Sequence, residues 1–195
     1  MCQMCQNNNL KFEATNVSFA AVISKCREMY RNKLKDYGAS WRIMRPTSLT
    51  DQLYIKAKRI RNLEMGNIPM VDDDISSEFV GLVNYSIMAL IQYELGYSDI
   101  VDIDSNQALN LYNKYASETL ELLKRKNHDY NEAWKEMRIT SYTDLILTKL
   151  NRIKEIEDND GATVASEGAP SNYMDIINYS VFALIKLQQK NEQQA

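Results

Sequence analysis

Acids and cations stand in this chain where an oily helix face is expected. On a helical wheel, Leu53, Ala57, Ile60 and Leu63 form one apolar arc, and Lys56 and Glu64 fall inside it. Ile146, Leu150, Ile153 and Ile156 form a second arc of the same kind around Lys149 and Glu157. Arg59 and Arg152 sit at the margins, one turn from the lysines. Charge on a buried face is costly unless it is paired or bound to something. Two chemistries answer that cost: a Lys–Glu salt bridge holding two helices in register, or cations presented to a phosphate.

Other residues extend the second answer. Asn84 and Asn178 lie within apolar runs, where an amide needs a partner. Asp175 stands three residues before Asn178 and shares its face, whereas the matching position before Asn84 is Gly81. Glu78 lies one turn earlier, and Asn172 stands at its place in the second run. Asp73 and Glu167 correspond in the preceding loops. Carboxylates at helical spacing beside Lys and Arg suit a magnesium ion and the phosphates it bridges. Glu157 and Asp175 are the expected metal ligands, with Glu64 or Glu78 at the other copy. Lys149 and Arg152, or Lys56 and Arg59, would neutralise phosphate charge.

Aromatic residues and further cations gather between helices: Tyr37, Trp41, Arg42 and Arg45, then Tyr130, Trp134, Lys135 and Arg138. Such a group can stack a base while cations take phosphate oxygens. It can equally plug the end of a bundle.

The pairing of all these features comes from an internal duplication. The block from Asp36 to Glu64 aligns without a gap with that from Asp129 to Glu157, at a shift of 93 residues. Asp, Tyr, Trp, Met, Arg, Thr, Ser, Thr, Asp, Lys, Arg, Ile and Glu recur in order. Periodicity predicts three helices per copy. The first span about Val17 to Lys35 and Leu109 to Lys126, with Phe19, Val22, Ile23, Cys26, Met29 and Tyr30 inward in the first copy. Ser48 with Asp51, and Ser141 with Asp144, have the form of capping boxes opening the second helices. The third helices span about Ser77 to Leu95 and Ser171 to Gln188, now at a shift of 94.

These elements predict an all-α fold, a bundle of two tandem three-helix repeats related by a pseudo-two-fold axis. Residues 17–95 and 108–188 are the repeats, 96–107 a linker, and 1–16 and 189–195 tails. At 195 residues the chain can bury one good core, and six Gly and three Pro suit long helices better than β structure. A net charge of −3 argues against a nucleic-acid polymer as partner. Cys2, Cys5 and Cys26 are too few and scattered for structural zinc and are read as reduced thiols. With no secretion signal and no apolar run long enough to span a membrane, the expected location is cytoplasmic.

The two Asp-Tyr…Trp…Met-Arg…Thr-Ser…Thr-Asp blocks and the Asn-Tyr-Ser helices resemble the nucleotide-modification-associated domain, a bacterial family, in its tandem form. That family is in turn similar to the all-α nucleotide pyrophosphohydrolases of the MazG and dimeric dUTPase type. The resemblance implies magnesium-dependent cleavage of a nucleoside triphosphate, or a related small-molecule triphosphate, releasing pyrophosphate. It also implies a paired arrangement, built as a homodimer or by one tandem chain acting as a monomer. The Glu-Glu-x-x-Glu motif of those enzymes is absent, and their Glu-x-x-Asp is split between Glu78 with Gly81 and Asn172 with Asp175. The alternative is a nucleotide-binding or interaction module without catalysis.

Overall fold

A computed structural model describes residues 3–68, 74–164 and 167–194, with side chains between residues 12 and 193. It contains six α-helices: α1 Gln3–Tyr37, α2 Pro46–Glu64, α3 Ile75–Leu95, α4 Ser105–Tyr130, α5 Ile139–Asp158 and α6 Ala169–Gln194. No strand occurs among the described residues, and the class is all-α. None of these helices is long and apolar enough to cross a membrane. The first helix begins earlier than its periodicity predicts, and Thr15 near its start is buried against Glu132.

The recurring Asp-Tyr pair ends α1 and α4, and the residue after it explains why the pattern repeats. Gly38 (φ 61°) and Asn131 (φ 46°) both adopt the left-handed conformation, which these two residue types tolerate best. A single 3₁₀ turn follows each, Ser40–Ile43 and Ala133–Glu136. The Gln92 amide donates to the Arg42 and Met44 carbonyls at 3.0 and 2.5 Å. Lys186, 94 residues later, donates to the matching Lys135 and Met137 carbonyls. Each third helix thus fastens the turn of its own repeat.

The capping boxes at Ser48 and Ser141 do not form. Arg45 and Arg138 are the N-cap residues, without side-chain caps, so both serines fall inside the first turn. In α2 the reason is Pro46, whose fixed φ opens the helix three residues earlier. A capping box does open α4, where Asp104 and Gln107 answer each other at 2.8 and 2.9 Å.

Helices α2, α3, α5 and α6 form a four-helix layer: α3 packs on α6, α2 on α3 and α5, and α5 on α6. The α1–α4 pair covers one side. Leu53, Ala57 and Ile60 are buried with Leu49, while Leu63 is only half-buried. All four apolar residues of the second arc are buried. Phe19, Val22, Ile23, Cys26 and Tyr30 face inward as expected, but Met29 is exposed.

Contacts between the repeats are reciprocal, as in an isologous interface. Asp51 pairs with Lys154 at 2.7 Å, and its counterpart Asp144 pairs with Arg61. Thr50 donates to Glu157 at 2.8 Å, and Thr143 donates to Glu64 at 2.8 Å.

The reciprocity breaks at the buried asparagines. Asn84 donates to the Cys26 carbonyl at 3.0 Å and accepts from the Tyr112 hydroxyl at 2.9 Å. Asn178 has no hydrogen-bond partner among the described residues on either side-chain atom although it is buried. Phe19 stands where the repeat would call for a second Tyr112, and it lacks the hydroxyl. Phe19→Tyr is therefore expected to stabilise the fold by about 1 kcal/mol, read as a higher denaturation midpoint.

Candidate functional site

Lys56, Arg59 and Lys149 each meet an acid, but not the one that shares their helical arc. In the first repeat Glu78, 5% exposed, accepts from Arg59 at 2.6 Å and from Lys56 at 3.2 Å. In the second repeat Asp175, 4% exposed, binds Lys149 at 2.7 Å and also Lys126. The acid has moved by one turn between the repeats. Where Glu78 reaches α2 in the first, Asn172 instead bonds the Gly168 carbonyl at 3.0 Å in the second, and Arg152 is exposed.

That shift leaves an open space in the first repeat. A cavity of about 560 Å³ lies between α1, the 3₁₀ turn, α2 and α3. Tyr30, Tyr37, Trp41 and Tyr85 line it, together with Lys33, Lys56, Glu78 and Gly81. The Lys56 ammonium lies 5.7 Å from the Tyr85 ring centre, a cation–π approach. Asn84 borders the cavity but is already spoken for by Cys26 and Tyr112. Burial pushes the Tyr30 hydroxyl above its usual range, an effect the adjacent Trp41 indole partly offsets.

In the second repeat side chains take the corresponding room. Phe182 replaces Met88 and lies flat on Trp134, ring centres 4.3 Å apart at 5°. Asp175 replaces Gly81. Trp134 is thus a plug, while Trp41 walls a cavity. Tyr37 and Tyr130 are both more than half exposed, and Arg45 and Arg138 at the helix starts are exposed.

Arg42 does different work from that of a ligand-facing cation. Only 1% exposed, it makes a two-pronged pair with Asp102 at 2.8 and 2.9 Å and donates to the Gly96 carbonyl at 2.7 Å. It ties the inter-repeat linker to the first repeat's turn, and the guanidinium holds the Asp102 carboxyl below its usual range.

The expected metal ligands do not converge. Glu157 and Glu64 face the opposite repeat's threonines, and Glu78 and Asp175 are each held by two cations. Asp73 lies outside the described residues, as do the side chains of Cys2 and Cys5. Among the described residues no three metal-ligating side chains cluster.

Glu157 has its own environment. Thr50 and Tyr173 share a hydrogen bond at 2.6 Å, and Tyr173 donates to Glu157 at 3.3 Å. Burial raises the carboxyl above its ordinary 4.5, against the lowering effect of those hydroxyls. A carboxyl raised on folding binds more protons in the native state, so stability falls as pH climbs from about 4.5 through the raised value. Glu157→Gln is expected to gain on wild type at pH 7 and not at pH 4, measured by denaturant unfolding at both.

Sequence reasoning missed Lys33, Lys126, Tyr85 and the Met88–Phe182 exchange. Lys33 and Lys126 recur at the same 93-residue shift, so extending the duplicated block backwards would have found them.

No curated protein and no solved structure matches the chain. The model of the family nucleotide modification associated domain 1 matches it twice in tandem, over residues 33–93 and 126–187. Those segments begin at the two equivalent lysines, Lys33 and Lys126, and together take in both 3₁₀ turns and the second and third helices of each repeat. The chain belongs to the nucleotide modification associated domain 1 family, as a tandem pair.

Proposed function

We propose that the protein binds a nucleotide, or a closely related phosphorylated small molecule, in the first repeat's cavity. The observation that carries this is the cavity itself: about 560 Å³, lined by aromatic rings and two lysines. That volume lies within the ordinary range for small-ligand sites. The rings of Trp41, Tyr37 and Tyr85 suit a base, and Lys33 and Lys56 suit its phosphates. The family's association with nucleotide modification agrees with such a ligand.

Binding is favoured over magnesium-dependent pyrophosphate release. Hydrolysis of that kind needs a metal-activated water, and the four candidate carboxylates are engaged elsewhere. Thermal unfolding against a panel of natural and modified nucleotides tests the reading. A ligand at about 100 times its Kd is expected to stabilise the fold by about 2.7 kcal/mol, and Lys56→Ala should remove most of that gain. A panel without effect, or an unchanged gain in Lys56→Ala, contradicts it. A parallel assay for released pyrophosphate, with and without magnesium, is expected to stay at background; steady release would restore the enzyme reading.

A further inference from the structure

The second repeat shows what its own two lysines hold, and it holds it covalently tethered. Asp175 sits on α6 with one carboxylate oxygen on Lys149 at 2.7 Å and the other on Lys126. Its side chain is 6% exposed, and it gives both ammonium groups a counter-ion within the protein. Lys126 and Lys149 correspond to Lys33 and Lys56 at the 93-residue shift, and Asp175 corresponds to Gly81 at the 94-residue shift. The first repeat therefore keeps both cations and lacks the acid at that position.

The missing Cβ at Gly81 leaves room that the Lys56 side chain itself takes. Lys56 leans directly over it: a Cβ at residue 81 would meet Lys56 Cδ and Cε at 2.8 Å and Nζ at 3.1 Å. Lys33 is exposed, borders the same cavity and has no ion pair among the described residues. Glu78 approaches Lys56 only at 3.2 Å while holding Arg59 at 2.6 Å. Lys56 can therefore turn toward another anion without leaving Glu78 unpaired, since Arg59 still answers that carboxylate.

Resting on the nucleotide-binding reading, we infer that Lys33 and Lys56, the latter lying over Gly81, form a subsite for a phosphate group, and that Asp175 occupies the equivalent subsite of the second repeat. Two oxygens of a phosphate present the same acceptors to two ammonium groups as the Asp175 carboxylate does. A terminal phosphate carries about −1.5 to −2 charges near neutral pH, which matches two lysines better than a single free carboxylate does. The ligand class is thus a phosphate monoester end or the tail of a di- or triphosphate. One chain offers one such subsite, because the other is filled by its own side chain.

Titration calorimetry with inorganic pyrophosphate, run beside a nucleoside triphosphate, tests this on the full chain. Wild type is expected to take one pyrophosphate, and Lys33→Ala to weaken it about tenfold, the loss of one charge-assisted hydrogen bond. Asp175→Gly is expected to take two. Should the added glycine unfold α6, Asp175→Asn removes the charge with the shape kept and should likewise gain a second, weaker site, with circular dichroism reporting the fold. A count of one in every folded Asp175 variant overturns the inference, as does an unchanged affinity in Lys33→Ala. If nucleotides bind wild type but pyrophosphate does not, the phosphate subsite fails and the binding reading stands. If pyrophosphate binds as described and the nucleoside portion adds no affinity, the subsite stands and the nucleotide reading fails.

Discussion

Gly81→Asp is expected to lower nucleotide affinity by about 100-fold while leaving the fold intact. The substitution copies into the first repeat what Asp175 does in the second, where the acid holds two lysines. An aspartate at residue 81 would capture Lys56 and Lys33 and withdraw both from the ligand. Two charge-assisted hydrogen bonds at about 1.5 kcal/mol or more each account for that factor. The new Cβ collides only with the outer carbons of Lys56, a flexible chain that can swing aside, and Asp is a better helix residue than Gly. Calorimetric affinity and the midpoint of thermal unfolding separate the two effects. Retained affinity, or a collapsed fold, would count against the account.

The second large effect concerns the filled repeat. Phe182→Ala is expected to cost about 3–5 kcal/mol, because the ring is 5% exposed and packed on Trp134 at 4.3 Å and Tyr142 at 6.0 Å. Met88→Ala, at the matching position, is expected to cost no more than about 2 kcal/mol. Met88 already borders a cavity, so truncation enlarges a space instead of creating one. Paired denaturant unfolding of the two variants reads the difference. Equal costs would mean that the two repeats are packed alike and that the first has no functional opening.

Much of this architecture is legible in the chain itself. The duplicated block, the 3.6-residue spacing of Ile146, Leu150, Ile153 and Ile156, and the scarcity of Gly and Pro lead directly to a tandem all-α body. The left-handed residues after each Asp-Tyr were visible as Gly38 and Asn131. The partners of the buried charges were not. A helical wheel gives a direction but no neighbour, and α2 turns one apolar face toward both α3 and α5. Lys56 and Glu64 consequently share an arc, yet one meets Glu78 in its own repeat and the other meets Thr143 across the interface.

The exchange of Gly81 for Asp175 was equally visible, but from sequence it reads as a metal ligand lost from the first copy. Only the positions of Lys126 and Lys149 show the acid to be a counter-ion, so that its absence opens a site. Asn84 and Asn178 teach a related lesson. Identical residues in matched helices differ because Tyr112 supplies a hydroxyl to one of them and Phe19, at the matching position, has none to give. Repeated sequence therefore transmits the scaffold faithfully and the site only in part.

The asymmetry of the two repeats is tested most directly by following tryptophan fluorescence during a calorimetric titration with a stabilising nucleoside triphosphate. The account predicts one ligand per chain and a fluorescence change that disappears in Trp41→Phe but persists in Trp134→Phe. Two equivalent sites per chain, or a signal that depends on Trp134, would contradict it.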